Sequence, residues 1–461
     1  MTSTTHTQFH PAAGALPAAR PFALLRDDLL SIETCFILFI FAGRIKGLPE
    51  FRSIPVDLTL LFFTLTFALV VWGVASRRLR PLPIDAPTIL MMAFCGFAVV
   101  SVYWSSLDPR NIDKAWRFIL VGASSYFFVV VLAQDRQRRA RLVRLVVGFS
   151  AALMIYYAYY RWVVGIDQME LYNTGRVNGN NYIEYATHAS YLFFGCLALV
   201  IHGPARRLPW ALAGAVGALF ALMLIGARGP LVFSAVAILL AGGGLLLSPP
   251  RFASGARRLL ILLAVLVAMA WAGFAALVAV KGPSGATEQL YTLQRFQLQL
   301  SNENTHSLDV RSEARDLAWR RWLEQPMLGW GLGEFRIQHS LEFPHNLSLE
   351  VLMETGLVGA CLFFPALLIA VAACFRMARD RRTGWTDATI ALLFLTEFLS
   401  HTTVQGYLLD DRIYFALLGM VIGWRVEAAR GGPETAAAAM EAAKGAVPAP
   451  DRAAAGAVAR W

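Results

Sequence analysis

Runs of about 20 apolar residues recur along this chain, the length needed to cross a bilayer core of about 30 Å. They begin near Leu29, Pro55, Ala86, Ala115, Leu142, Ala186, Leu208, Gly229, Leu259, Asn346, Trp385 and Asp411. The chain therefore reads as an all-α polytopic membrane protein with about 12 transmembrane helices. Between the seventh and eighth runs stands only "IGARGPLV", so those two could instead be one interrupted helix. Composition agrees with a membrane protein. The 461 residues are 57% hydrophobic and 16% charged, against about 25% charged for a soluble domain.

Arginine assigns the sides. Arg77, Arg78 and Arg80 follow the second run, and Arg136, Arg138, Arg139, Arg141 and Arg144 follow the fourth. Arg206 and Arg207, then Arg251, Arg257 and Arg258, then Arg376, Arg379, Arg381 and Arg382 complete the series. Every even-numbered loop is basic, and the odd loops are mixed. By the positive-inside rule the even loops and both termini are cytoplasmic. The organisation expected is a cytoplasmic tail over 1–28, helices 1–9 over 29–281, a large outward loop over 282–345, helices 10–12 over 346–430, and a low-complexity, disordered tail over 431–461. No cleavable signal peptide is evident ahead of the first apolar run. Cys35, Cys95, Cys196, Cys361 and Cys374 all lie in apolar stretches and form no CxxC pair, so they read as packing residues.

The large outward loop contains "DVRSEARDLAWRRWLEQPMLGWGLGEF". Asp309 to Gln325 reads as an amphipathic helix carrying Arg311, Arg315, Trp319 and Trp322 on one side. Pro326 ends it, and "GWGLGEF" reads as a turn. The Trp face suits the membrane interface.

Outward arginines run against topology and so carry information. Arg228 occupies the tight turn "GARGP", Arg176 the loop "NTGRVNGNNY", and Arg311 and Arg315 the loop helix. Guanidinium forks suit phosphate oxygens, so these residues are candidates for a diphosphate pocket. The competing reading is snorkelling or pairing with carboxylates. Arg44, Lys46 and Arg52 read as interfacial anchors. His345 ends the large loop, and its ordinary pKa near neutrality suits proton transfer. Asn346 can cap the next helix. Glu350 and Glu354 follow one turn apart, and a carboxylate within a span needs a partner. An outward arginine or His345 would supply one. His306 and His339 read as solvated, and His188 and His401 as satisfied packing residues. There is no Walker A, no GxGxxG after a strand and no HExxH, so these motifs point to neither a nucleotide nor a zinc site; no nucleic-acid partner is expected.

These residues resemble the O-antigen ligase and polymerase superfamily. "HNLSLEVLMETGLVG" resembles its His-Asn motif, "ARGPLVFSAVAILLAG" its arginine turn before a span, and "RDLAWRRWLEQPMLGWGLGEF" its Arg-x-x-x-Trp helix followed by Pro-x-x-Gly-x-Gly. The "NTGRVNGNNY" loop matches loosely, without the Asn-Pro step. The resemblance implies a fold related to glycosyltransferase type C in a bacterial inner membrane, with the active site facing the periplasm. It implies a glycan donor on undecaprenyl diphosphate and no cofactor or metal. Arg228 and Arg315 would hold the diphosphate, and His345 would accept the acceptor's proton. Arg176, Arg311, Asn346, Glu350 and Glu354 would line the substrate site.

The leading expectation is a ligase that joins the glycan to lipid A-core oligosaccharide. A polymerase extending a growing glycan on the same carrier is the alternative. A protein O-oligosaccharyltransferase follows, and then a transporter. The transporter is disfavoured because ionisable residues collect at the outward edge rather than at the midplane.

Overall fold

The structure, a computed structural model, describes residues 31–165, 176–177, 180–301, 306–339, 341–380, 383–404, 406–408 and 411–430. The expected N-terminal and C-terminal tails lie outside these residues, as do Arg381 and Arg382 of the last basic cluster. Apart from the two-residue strands Arg176–Val177 and Asn180–Asn181, the described elements are helices.

Twelve helices correspond to the twelve apolar runs: α1 (Ile32–Gly47), then α2 (Leu58–Ala75), α3 (Ala86–Trp104), α4 (Pro109–Leu132), α5 (Arg136–Val164), α6 (Tyr182–His202), α7 (Ala205–Ile225) and α8 (Arg228–Leu246). Next come α9 (Pro249–Gln289), which breaks at Gly282 with φ 74°, and, in the large loop, α10 (Tyr291–Leu300) and α11 (His306–Glu324). The chain ends in α12 (Leu347–Arg379), α13 (Trp385–Thr403) and α14 (Arg412–Arg430). Nine of the described helices are long and apolar enough to cross a membrane on those criteria alone. The other three of the twelve are α1, α13 and α14. α1 has 16 described residues, while α13 and α14 carry charge but are lined with buried side chains. Asp387 of α13 is buried and Arg425 and Glu427 of α14 are ion-paired, which is how a bundle tolerates such charges.

The short seventh-to-eighth break is a reversal, not an interruption. Gly226 takes φ 87°, and two residues stand between the helices. His202 and Leu247 then line one cleft, so the far ends of α6 and α8 meet at one face. Helix starts follow local chemistry. Asp57, Asp85, Asp108 and Asp135 each accept a backbone N–H from the first turn that follows, satisfying donors that a helix leaves open.

Ion pairs lock the basic face. Arg139, 1% exposed, reaches Glu427 at 2.6 Å and Asp387 at 3.5 Å, and Arg425 reaches Asp85 at 2.7 Å. At the opposite face Arg44 pairs with Glu184 at 2.7 Å, binding α1 to α6. Lys46 donates to the Ile54 carbonyl and Arg52 to that of Gly47. Arg44, expected as an interfacial anchor, thus also has a structural partner. Phenylalanines fill the centre: Phe94 meets Phe363 with ring centroids 4.6 Å apart, and Phe118 meets Phe415 at 5.8 Å.

Candidate functional site

The candidate site is built around a break in α12. Gly356 has φ 63° inside the helix. Its neighbours lose their helical partners and find new ones in residues 326–331. Trp330 N–H donates to the Met353 carbonyl at 2.9 Å and Gly331 N–H to that of Glu354 at 2.9 Å. Leu357 N–H donates to the Pro326 carbonyl at 2.8 Å and Val358 N–H to that of Met327 at 3.1 Å. Four hydrogen bonds with the loop thus satisfy backbone groups that the break takes out of the helix. Close approach explains the glycines. A Cβ on Gly329 would stand 2.6 Å from the Glu354 backbone, and one on Gly356 would collide with the Met327 carbonyl.

Gly356→Ala is therefore expected to destabilise the protein by about 1–3 kcal/mol from backbone strain alone. Thermal unfolding of the purified variant should show a clearly lowered Tm. An unchanged Tm would mean that the loop and the break are not locked together.

The same loop grips α3 and α4. Glu334 accepts from Ser106 N–H and from Asn111 Nδ2, each at 3.1 Å, and Leu332 N–H donates to Ser101 Oγ at 2.9 Å. On the other side, Ala314 and Ala318 of α11 are fully buried with Phe335 and Met353. Trp319 and Trp322 sit together at 4.8 Å on α11, with Trp319 47% exposed. A helix is thus present where Asp309 to Gln325 was expected to form one, running from His306 to Glu324, and the side it buries carries Ala314 and Ala318.

Glu350 and Glu354 are paired neither with an arginine nor with His345, contrary to expectation. Their partner is Lys114 of α4. Its Nζ lies 2.7 Å from Glu350 Oε1 and 2.8 Å from both Glu354 oxygens. All three side chains are at most 1% exposed. Glu350 Oε2 also accepts from Leu408 N–H at 2.9 Å. Both carboxylates are therefore buried within the protein, not on a substrate-facing surface. Counting apolar residues starts the fourth span at Ala115 and leaves Lys114 outside it. The Asp108 cap and Pro109 at N1 are the sequence signal that begins the helix earlier.

His345 stands just ahead of α12. Its φ is 54°, in the left-handed region that a non-glycine residue seldom enters. Phe343 lies 4.4 Å from its ring and stacks in turn on Tyr407 at 4.5 Å. The Tyr407 ring is 5.7 Å from Lys114 Nζ, so an aromatic wall joins the ion cluster to the histidine. His345 Nδ1 is buried without a hydrogen bond. Burial first, and then the guanidiniums of Arg311 and Arg315, push the imidazolium pKa down to about 4. The ring is therefore neutral at physiological pH.

Asn346 is the cap of α12. Its Oδ1 accepts from Leu349 N–H at 3.0 Å and its Nδ2 donates to the Thr402 carbonyl at 2.7 Å. Both polar groups are engaged inside the protein, so the residue holds the helix mouth, not a ligand.

The structure thus brings His345 together with Arg311 and Arg315. Both arginines are half-buried, and Arg315 Nε donates to the Arg311 carbonyl at 3.2 Å. Arg228 is the first residue of α8, which packs against α12. Its turn is tied to α10, where Thr292 Oγ accepts from Gly226 N–H at 2.9 Å and donates to the Leu222 carbonyl at 2.7 Å. Arg176 pairs with Asn181 across the short ladder that enters α6, and its side chain is outside the described residues. His401 bonds the Glu397 carbonyl and Asp411, as a satisfied packing residue does. His188 is satisfied on one side alone, by Ser150 at 3.0 Å. His339 Nδ1 accepts from Leu341 N–H at 2.9 Å and so is not merely solvated. Among the described residues no group of three or more His, Cys, Asp or Glu is arranged to hold a metal ion.

Fold and site together define a multi-pass all-α membrane protein with a histidine and arginine cluster beside a broken helix at one membrane edge. Residues 213–364, about a third of the chain, match the family model described as O-antigen ligase, which supports the resemblance to the O-antigen ligase and polymerase superfamily. The matched segment contains Arg228, Arg311, Arg315, His345, Asn346, Glu350 and Glu354, but neither Arg176 nor Lys114. The function it supports is of the ligase or polymerase type, and its members are glycosyltransferase-like enzymes. No curated protein matches the chain.

Proposed function

We propose that this protein transfers a glycan from undecaprenyl diphosphate to a hydroxyl of lipid A-core oligosaccharide, at the periplasmic face of a bacterial inner membrane. The observation that carries the reading is His345: neutral, with a buried ring nitrogen unsatisfied, beside two arginines at the mouth of a broken helix. The acceptor oxygen forms its bond to the anomeric carbon as the bond from that carbon to the diphosphate breaks. The acceptor proton passes to His345, and the diphosphate leaves with its electron pair. Arg315 and Arg228 stabilise the charge that develops there, with Arg311 beside them. Glu350, Glu354 and Asn346 act indirectly, by fixing the start of α12. The arginine alternation supports cytoplasmic termini and a periplasmic site.

The test is transfer by purified protein in nanodiscs, with a polyprenyl-diphosphate glycan as donor and lipid A-core or a second lipid-linked glycan as acceptor. Product on lipid A-core is expected. Product confined to lengthened glycan would make the protein a polymerase. In the same assay, Arg228→Ala and Arg315→Ala should each lose about 2–4 kcal/mol of transition-state stabilisation. Lysine at either position should rescue partly, since it keeps the charge and loses the fork. Wild-type turnover by Arg228→Lys would exclude bidentate recognition at that residue.

A further inference from the structure

A polar cavity of about 210 Å3 opens on the basic face, on the opposite side of the bundle from the candidate site. Its walls include Arg78 and Arg80 from the turn after α2, and Gln134, Asp135, Arg138 and Arg141 around the start of α5. The walls are built rather than draped. Leu79 is buried against Gly73 and its N–H donates to the Gly73 carbonyl at 2.9 Å, while Arg77 takes φ 59° to make the turn. Gln134 braces the far wall, donating to the Pro81 carbonyl at 3.0 Å and accepting from Arg430 at 2.8 Å.

The charge is unbalanced. Arg138 pairs with buried Glu33 at 2.7 Å, and one oxygen of Asp135 is occupied in capping α5. Arg78 and Arg80 are exposed and have no hydrogen-bond or ion-pair partner among the described residues. Beside them α2 exposes Leu65, Phe67 and Val71, and Trp72, 65% exposed, stands in its last turn. An exposed tryptophan at a helix end marks the membrane interface. The cavity therefore lies at the level of the lipid phosphates, lined by forks that suit a phosphodiester.

We propose that this cavity binds the phosphate headgroup of an anionic phospholipid from the adjoining leaflet. A lipid is preferred to a soluble anion because the apolar flank of α2 runs directly from the cavity and would carry the acyl chains. The test uses the full-length protein, delipidated and titrated with phosphatidylglycerol or phosphatidylcholine, with bound lipid counted by native mass spectrometry. Wild type should retain phosphatidylglycerol over phosphatidylcholine by roughly tenfold or more. Arg78→Gln with Arg80→Gln, both exposed and without structural bonds, should weaken that retention by roughly tenfold, as expected for loss of two interfacial cations. Arg206→Gln with Arg207→Gln, on the same face and outside the cavity, should leave it unchanged. Equal retention by the cavity variant, or equal loss in the control variant, would overturn the site. Displacement of the lipid by inorganic phosphate at matched concentration would overturn the lipid as its ligand.

Discussion

Replacing Lys114 with alanine is expected to destabilise the protein by about 3–5 kcal/mol, the cost of leaving a buried ion group uncompensated. Glu350 and Glu354 are both fully buried, and Lys114 contributes three of their contacts at 2.7–2.8 Å. Removing the ammonium strands two carboxylates one helical turn apart, where they repel each other. The damage should spread, because these carboxylates join α12 to α4 and, through Leu408, to the segment ahead of α14. Thermal unfolding in detergent should show a large fall in Tm. The triple variant Lys114→Met, Glu350→Gln, Glu354→Gln should recover most of it, since a neutral cluster of similar shape carries no charge penalty. A Tm for Lys114→Ala equal to wild type would mean that the carboxylates are not held charged against the lysine.

The second large effect concerns His345. An imidazole with an ordinary pKa near 6.5 would lose activity as pH falls through that value. Here burial, Arg311 and Arg315 push the pKa down to about 4, so the neutral, proton-accepting form persists to much lower pH. Because kcat/KM reports the free enzyme, it should hold through pH 6 and fall as pH approaches about 4. A bound diphosphate offsets the arginines, so the fall in kcat should come at higher pH than the fall in kcat/KM. Arg311→Gln removes one of the two charges and should move the kcat/KM fall upward. A kcat/KM fall centred near 6.5 in wild type, unmoved by Arg311→Gln, would place His345 outside the arginine field.

The crossings were legible because each rests on a local quantity: a run of apolar residues between arginine-rich loops. The helix over His306–Glu324 was legible from another local quantity, the helical spacing of Arg311, Arg315, Trp319 and Trp322. Contacts between distant segments were not. Nothing in the periodicity of α12 shows that residues 353–358 trade helical hydrogen bonds for the backbone of 326–331. The glycines at 329, 331 and 356 mark a turn and a break, but their complementarity is a tertiary fact. Glu350 and Glu354 announced that a partner was needed, and the arginines were the obvious choice from side alone. Lys114 was hidden because an apolar count discards the polar first turns of a helix whose cap lies at Asp108. His345 was found by type and place, while its left-handed backbone and lowered pKa depend on neighbours far along the chain.

The central claim is that His345 accepts the acceptor's proton while the arginines hold the donor diphosphate. Glycan transfer and donor affinity, measured together on His345→Ala and His345→Gln in nanodiscs, test it most directly. Both variants should lose most turnover, by roughly 10²–10⁴-fold for a lost general base, and both should bind the lipid-linked donor nearly as wild type does. Glutamine keeps a hydrogen-bonding side chain but has no basic nitrogen, so its failure isolates proton transfer from hydrogen bonding. Substantial transfer by His345→Gln, or collapse of donor binding in His345→Ala, would contradict the claim and move the proton acceptor to the leaving phosphate.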